Sequence, residues 1–272
     1  MAPNDLFALE RAATGGASGL VVTVHGTMDR HSSFGGVRRQ LPEVATVVYD
    51  RRGYGRSRHL PVATSLDDHV EDLLDLCACR PAVVVGHSYG GCIGLRAAEV
   101  APEVVRAVVV FEPPLPWLDG WPSDTGSSRA LAAPDPPAGV EAYLRHILGD
   151  ERWDALPERA RADRRGEGPA LLADLRSVRP AADQVPPLDL GAISVPVVIG
   201  RGTRSAAYLQ AGANRLVGML VDAELHVLEG AGARCAQRAA RSDRRPGPPR
   251  HGAGSGLTTG ARTSSRNCAI LS

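Results

Sequence analysis

The chain has 272 residues, 43% of them apolar and 22% charged, which is the make-up of a globular protein long enough to bury a sizeable core. No apolar run approaches the ~18 residues a membrane span needs. The start, Met1-Ala2-Pro3-Asn4-Asp5, lacks the basic residues and apolar stretch of a signal peptide, so a cytoplasmic protein without a membrane partner is expected. The five cysteines show no metal-ligand spacing, and neither a metal nor any other cofactor is expected.

All 31 basic residues are arginine, as a GC-rich bacterial genome would encode. The net charge of +1 conceals an asymmetry. Residues 1–232 hold 23 Arg against 29 Asp and Glu, whereas 233–272 hold 8 Arg against Asp243 alone. The two parts do not share one design.

In chain order, short β-branched runs alternate with helix-like stretches. Residues 20–24, 45–49, 82–85 and 106–111 are nearly continuous apolar runs, the pattern of strands covered on both faces. Between them, Ser65 to Cys79 carries apolar residues at helical spacing (Leu66, Val70, Leu73, Leu74, Cys77), with Ser65 as N-cap and Asp67 and Asp68 in the first turn. Tyr89 to Val100 is a second helix, closed by Pro102. Strands alternating with helices predict a parallel-rich α/β sheet.

The character changes at Pro113. Residues 113–190 contain all three tryptophans, a Pro-rich loop at 134–137 and helical patterns near 139–148, 151–165 and 169–178, with no strand signal. A helical insertion between two sheet strands is expected. Strands resume at 195–199 and 224–228, with a helix between them near 205–220. The expected organisation is therefore core residues 1–112, helical insertion 113–190, core residues 191–232, and a disordered Arg-rich tail over 233–272. The tail's few large apolar side chains cannot offset its ordering entropy. No aromatic residue or motif organises its arginines, and no nucleic-acid partner is expected.

Chemistry concentrates at Gly86-His87-Ser88-Tyr89-Gly90, a G-x-S-x-G pattern between a strand and a helix. A nucleophile on so tight a turn needs small neighbours on both sides. The turn lifts the Ser88 hydroxyl above the sheet and aims the Tyr89 N–H at a developing oxyanion. His25-Gly26-Thr27 follows the strand 20–24 and offers the Thr27 N–H as a second oxyanion donor, with His25 bracing the loop.

With Asp50-Arg51-Arg52-Gly53-Tyr54-Gly55-Arg56-Ser57 added to these two motifs, the chain resembles the α/β-hydrolase superfamily, in particular its small bacterial serine hydrolases, over about residues 15–232. The resemblance implies a helical cap at 113–190 and a Ser–acid–His triad in that chain order. It also implies that the 50–57 stretch sets a loop conformation and takes no part in the chemistry. A small ester, lactone or related acyl substrate would sit under the cap, against Trp117 and Trp121. A non-catalytic ligand-binding member of the fold is the alternative.

Two departures stand out. The loop Gly200-Arg201-Gly202-Thr203-Arg204-Ser205, where most relatives carry the triad acid, has no carboxylate. Glu112, at the end of the preceding strand, is the candidate acid, with Asp119 as the fallback. The family's histidine position, in Gly230-Ala231-Gly232-Ala233, holds Ala233. His226 belongs to a strand, His251 to the tail, and His87 is expected to point away from Ser88. One encoding of Ala233-Arg234-Cys235-Ala236-Gln237-Arg238, GCA CGG TGC GCA CAG CGA, reads His-Gly-Ala-His-Ser one base later. A shifted reading frame near Gly232 accounts at once for the charge jump, the lost periodicity and the missing histidine, and an impaired hydrolase is expected.

Overall fold

The buried pentapeptide Leu20–Val24 is the first strand of the central sheet, and every one of its side chains is out of water. The computed structural model describes residues 5–14, 19–179 and 185–232. The expected disordered tail, Ala233 and His251 included, lies outside the described residues.

Seven strands make one sheet: β1 (Ala8–Arg11), β2 (Leu20–Val24), β3 (Ala45–Tyr49), β4 (Ala82–His87), β5 (Val105–Phe111), β6 (Val197–Gly202) and β7 (Ala223–Leu228). Their order across the sheet is β1-β3-β2-β4-β5-β6-β7. Only β1 runs antiparallel to its neighbour, pairing Ala8 with Tyr49 and Arg11 with Thr46. All other pairs are parallel, and their crossovers put helices on the sheet faces, which is why the central strands read as unbroken apolar runs.

The helices of the first half are α1 (Gly35–Gln40), α2 (Leu66–Cys77) and α3 (Tyr89–Val100). The α2 N-terminus is a capping box: Ser65 Oγ accepts the Asp68 N–H at 3.2 Å, and Asp68 Oδ2 accepts the Ser65 N–H at 3.3 Å. The helix ends two residues earlier than its apolar spacing predicts, because Ala78 and Cys79 both take left-handed backbone, with φ of 50° and 59°. Leu66, Val70, Leu73 and Cys77 bury against the sheet.

Between β5 and β6 come α4 (Gly126–Leu131), α5 (Pro136–Leu148), α6 (Asp150–Asp154), α7 (Glu158–Arg165) and α8 (Gly168–Ser177). They close on their own cluster, built on Val140, Leu144, Trp153, Leu171 and Leu175, into which Met28 and Tyr54 reach from the sheet's loops. The Pro-rich stretch at 134–137 proves to be a helix start. Asp135 caps α5 by accepting the Ala138 N–H at 2.8 Å, and Pro136 occupies the first turn, where a missing N–H costs nothing. The single helix expected over 151–165 is two, separated at Pro157, whose ring prevents an uninterrupted helix. The strand expected at 195–199 begins at Val197, past Pro196, and runs on to Gly202. It is followed by α9 (Ala207–Val217). No described helix is long and apolar enough to cross a membrane.

Candidate active site

At the C-terminal end of β4 the chain turns directly into α3, and Ser88 is the residue at the corner. Its backbone has φ 53° and ψ −126°, a conformation that costs a non-glycine residue on the order of 1–3 kcal/mol and is kept where function needs it. The flanking glycines make the turn sterically possible. A Cβ on Gly86 would lie 2.7 Å from the Gly91 Cα, and one on Gly90 would run into the backbone of Val24 and His25. Tyr89 is the first residue of α3, so its N–H has no partner within the helix and remains free to donate. The loop after β2 packs on the same corner, since a Cβ on Gly26 would lie 3.0 Å from Ser88 Cβ. His25 braces that loop from within: its Nε2 accepts the Arg51 N–H at 2.9 Å and its Nδ1 donates to the Gly26 carbonyl at 2.8 Å. Burial, reinforced by the Arg51 charge, holds its pKa well below the usual value, so the ring stays neutral as this tautomer requires.

Glu112 directly follows β5, the strand beside β4, and Ser88 N–H donates to the Phe111 carbonyl at 2.8 Å. The two candidate residues thus stand at the C-terminal ends of neighbouring strands. Like Ser88, Glu112 has left-handed backbone, with φ 51°, and it is 1% exposed. One carboxylate oxygen is fully engaged: Oε1 accepts the Gly202 N–H at 2.9 Å and the Ser205 hydroxyl. The other, Oε2, is buried and has no hydrogen-bond partner among the described residues. Gly202 and Ser205 come from the loop in which the usual acid was missing. That loop contributes the groups that fix Glu112. Asp119 is exposed and outside the cavity, with its carbonyl accepting from Arg215, so the fallback acid is not beside Ser88.

The segment after β7 passes over this same loop. Ala231 O accepts the Arg204 N–H at 2.7 Å, and a Cβ on Gly232 would lie 3.1 Å from the Arg204 carbonyl oxygen. The chain therefore leaves the described region beside the groups that hold Glu112, immediately before position 233. Of the other histidines, His226 is on the edge strand β7, pairing with Glu224 at 2.8 Å. His87 shares the cavity wall with Ser88, with its Nδ1 3.9 Å from Asp29 Oδ2.

Ser88 opens onto a cavity of about 100 Å³ between the sheet and the inserted helices, lined by Thr27, Tyr89 and Glu112 on one side and Tyr143, Leu144 and Leu175 on the other. Trp121 is on its wall, edge-on to Tyr208 with ring centres 4.8 Å apart. Trp117 is a correction to the sequence reading: it packs against the main core and does not line the cavity.

One cluster at the site had no counterpart in the sequence reading. Asp174 of α8, 2% exposed, accepts hydrogen bonds from Arg51 Nη1 at 3.0 Å, Arg51 Nη2 at 2.7 Å, Tyr54 Oη at 2.7 Å and Thr27 Oγ1 at 3.0 Å. His69 Nε2 lies 3.2 Å from Asp174 Oδ1, the oxygen that Arg51 Nη1 also meets. Burial alone would raise the Asp174 carboxyl. The Arg51 charge and these hydrogen bonds reverse that and hold it far below the carboxylate range. One turn further along α8, Ser177 Oγ meets Tyr89 Oη at 2.6 Å. Both residues proposed to donate to an oxyanion are thus tied by their side chains to one inserted helix. A lone acid on an apolar helix face, between Leu171, Leu172 and Leu175, was the available signal.

Known proteins agree with this architecture. The model of the alpha/beta hydrolase family matches residues 21–241. The chain is 34% identical over 132 residues to Lipase LipV of Mycobacterium tuberculosis, which covers 47% of this chain and 50% of that protein. It is 28% identical to 2-(acetamidomethylene)succinate hydrolase of Mesorhizobium japonicum, covering 53% of this chain and 54% of that one. The chain thus spans about half the length of the curated relatives it matches. An alpha/beta hydrolase structure from Sphaerobacter thermophilus superposes with a TM-score of 0.63 at 21% identity, covering 82% of this chain and 88% of that one. The strand order, the strained serine corner and the family match together lead to one statement: this chain belongs to the alpha/beta hydrolase family.

Proposed function

We propose that the chain carries the site of a serine hydrolase acting on small esters, lactones or related acyl compounds. Ser88 is the nucleophile, Glu112 the triad acid, Tyr89 and Thr27 the backbone oxyanion donors, and the helices between β5 and β6 the cap over the substrate. The observation that carries this reading is Glu112 Oε2, buried and unpartnered beside the loop that leads to position 233. A histidine entering there would donate one ring N–H to that oxygen and face Ser88 with the other nitrogen. Its free nitrogen would take the Ser88 proton as Oγ attacks the acyl carbon. The oxyanion would form against the two N–H groups, and the proton would pass to the leaving alcohol. Water, activated by the same ring, would then release the acid and restore Ser88.

Position 233 is alanine. Without a base a serine hydroxyl is a poor nucleophile, and losing the base of a triad costs on the order of 10⁶ in turnover. The chain as written should therefore be nearly inactive, and its counterpart with the reading frame shifted by one base near Gly232 should recover several orders of magnitude. Assaying both proteins on a panel of nitrophenyl esters, with fluorophosphonate labelling of Ser88, tests this; equal activity in the two would refute it. The absent histidine equally favours a second reading, a ligand-binding member of the fold without catalysis. In that case the frame-restored protein would bind substrates and neither label nor turn over.

A further inference from the structure

Arg179 follows the end of α8 and lines the Ser88 cavity, at the point where it meets an outer groove bordered by Arg176, Pro186 and Asp189. It stands at the cavity's mouth. Its one side-chain hydrogen bond among the described residues runs from Nη2 to Thr125 Oγ1, at 3.3 Å. That hydroxyl is already the α4 cap, accepting the Ser128 N–H at 3.1 Å. Most of the five guanidinium donors therefore have no partner among the described residues. Partial burial pushes its pKa down, with no acid among the described residues acting in the other direction.

Of the other half-buried arginines in the inserted helices, Arg164 donates to the Met28 carbonyl at 2.7 Å with Glu167 3.9 Å away, and three are closely paired with acids. Arg145 meets Glu141 at 2.9 Å and Asp154 at 2.8 Å, Arg161 meets Glu158 at 2.8 Å, and Arg165 meets both Glu141 and Glu158 at 2.9 Å. The negative end of the α8 dipole accounts for a cation in its last turn, but Arg176 already supplies one and is exposed. The dipole does not account for a second guanidinium turned onto an otherwise apolar wall of Leu144, Ile147, Leu175 and Val178. Such a charge is costly to desolvate and stays where a partner completes it.

Polar groups mark two parts of this largely apolar cavity. The carboxylates Asp29 and Glu112 line it along with Ser88, and Arg179 stands at its mouth. We propose that Arg179 recognises a carboxylate on the acyl compound that enters this cavity, its planar fork taking both oxygens while the acyl carbon lies at Ser88. The substrates would then be monoesters, or other single acyl derivatives, of short dicarboxylic acids. This rests on the reading of the Ser88 cavity as the acyl site.

The test is calorimetric and needs no turnover. The full chain is titrated with succinamate, glutaramate and adipamate, stable monoamides carrying one carboxylate, and with the corresponding neutral diamides. At least one anionic probe should bind roughly tenfold or more tighter than its diamide, the worth of a charge-assisted hydrogen bond. Arg179→Gln should remove that preference while leaving diamide binding unchanged, and Arg179→Lys should keep part of it. No preference at any chain length, no binding of any probe, or a preference that survives Arg179→Gln would each overturn the proposal. Fluorophosphonate labelling of the frame-restored protein separates it from the hydrolase reading. A protein that labels and shows no preference sinks only the carboxylate subsite; one with the preference that fails to label sinks only the hydrolase.

Discussion

Gly202 and Ala231 meet backbone to backbone: a Cβ at position 202 would drive into the Ala231 carbonyl. The same glycine donates its N–H to Glu112 Oε1. One residue therefore joins the candidate acid to the segment that leads to position 233. Gly202→Ala should displace that segment and loosen Glu112 together. We expect a stability loss on the order of 1–3 kcal/mol from overpacking, read by urea denaturation. In the frame-restored protein the turnover loss should exceed what that destabilisation explains. Unchanged turnover would separate Glu112 from the β7 segment.

Glu112→Gln retains an acceptor for Gly202 and should leave the fold intact. In the frame-restored protein it should cut turnover by on the order of 10⁴, the cost of a misoriented triad imidazole. A loss below about tenfold would remove Glu112 from the triad.

Ser88→Ala should fold with near-native stability, because alanine adds no atom to the corner. Ser88→Gly should be more stable by roughly 1 kcal/mol, since glycine takes φ 53° without strain. Thermal melts of the three proteins check this. A glycine variant no more stable than the alanine one would mean that the corner holds no backbone strain.

Asp174→Ala leaves the Arg51 guanidinium buried without its carboxylate. Breaking a buried pair in this way costs about 3–5 kcal/mol. Asp174→Asn, which keeps acceptors for Tyr54 and Thr27, should cost less. Equilibrium unfolding of both variants decides the order.

Two buried histidines set the response to acid. Burial, aided by the Arg51 charge, lowers the pKa of both His25 and His69. Each folded pKa lies below the unfolded value of about 6.5, so the unfolded chain binds more protons between the two. Stability should therefore be full above about pH 6.5 and fall as the pH drops through that range. Asp50, held at about 2 against its burial by hydrogen bonds from His31 and Arg56, adds a second loss as the pH falls below the ordinary carboxylate range. Melting temperatures from about pH 7.5 to about pH 5 should show the first loss, and His69→Asn should flatten part of it. A flat profile would mean that neither ring is held neutral.

The core strands, α2, α3 and the serine corner were legible because periodicity and glycine spacing report local backbone directly. The missed elements carry little such signal. β1 reads Ala8-Leu9-Glu10-Arg11, with no β-branched residue, and it exists because β3 offers it an edge. α4 opens with Gly-Ser-Ser, poor helix formers rescued by the Thr125–Ser128 box. At the site, Ser88, Tyr89, Thr27 and Glu112 could be named from strand ends. Gly202, Ser205 and Asp174 could not, since they act across 90, 93 and 147 residues of chain. Trp117 and Trp121 looked alike in sequence, and only packing shows that one faces the core and the other the cavity.

The Asp174 cluster also bears on how this protein could be re-engineered. Helical insertions between β5 and β6 invite exchange as modules that bring a new specificity. Here the inserted helix supplies the only carboxylate that hydrogen-bonds the fully buried Arg51 among the described residues, and it holds Thr27 as well. A graft that replaced 113–190 with a foreign segment would strand that guanidinium in the core and release the loop beside Ser88. A viable chimera would have to exchange Arg51, Tyr54 and His69 together with the helices, or bring an acid to the same place.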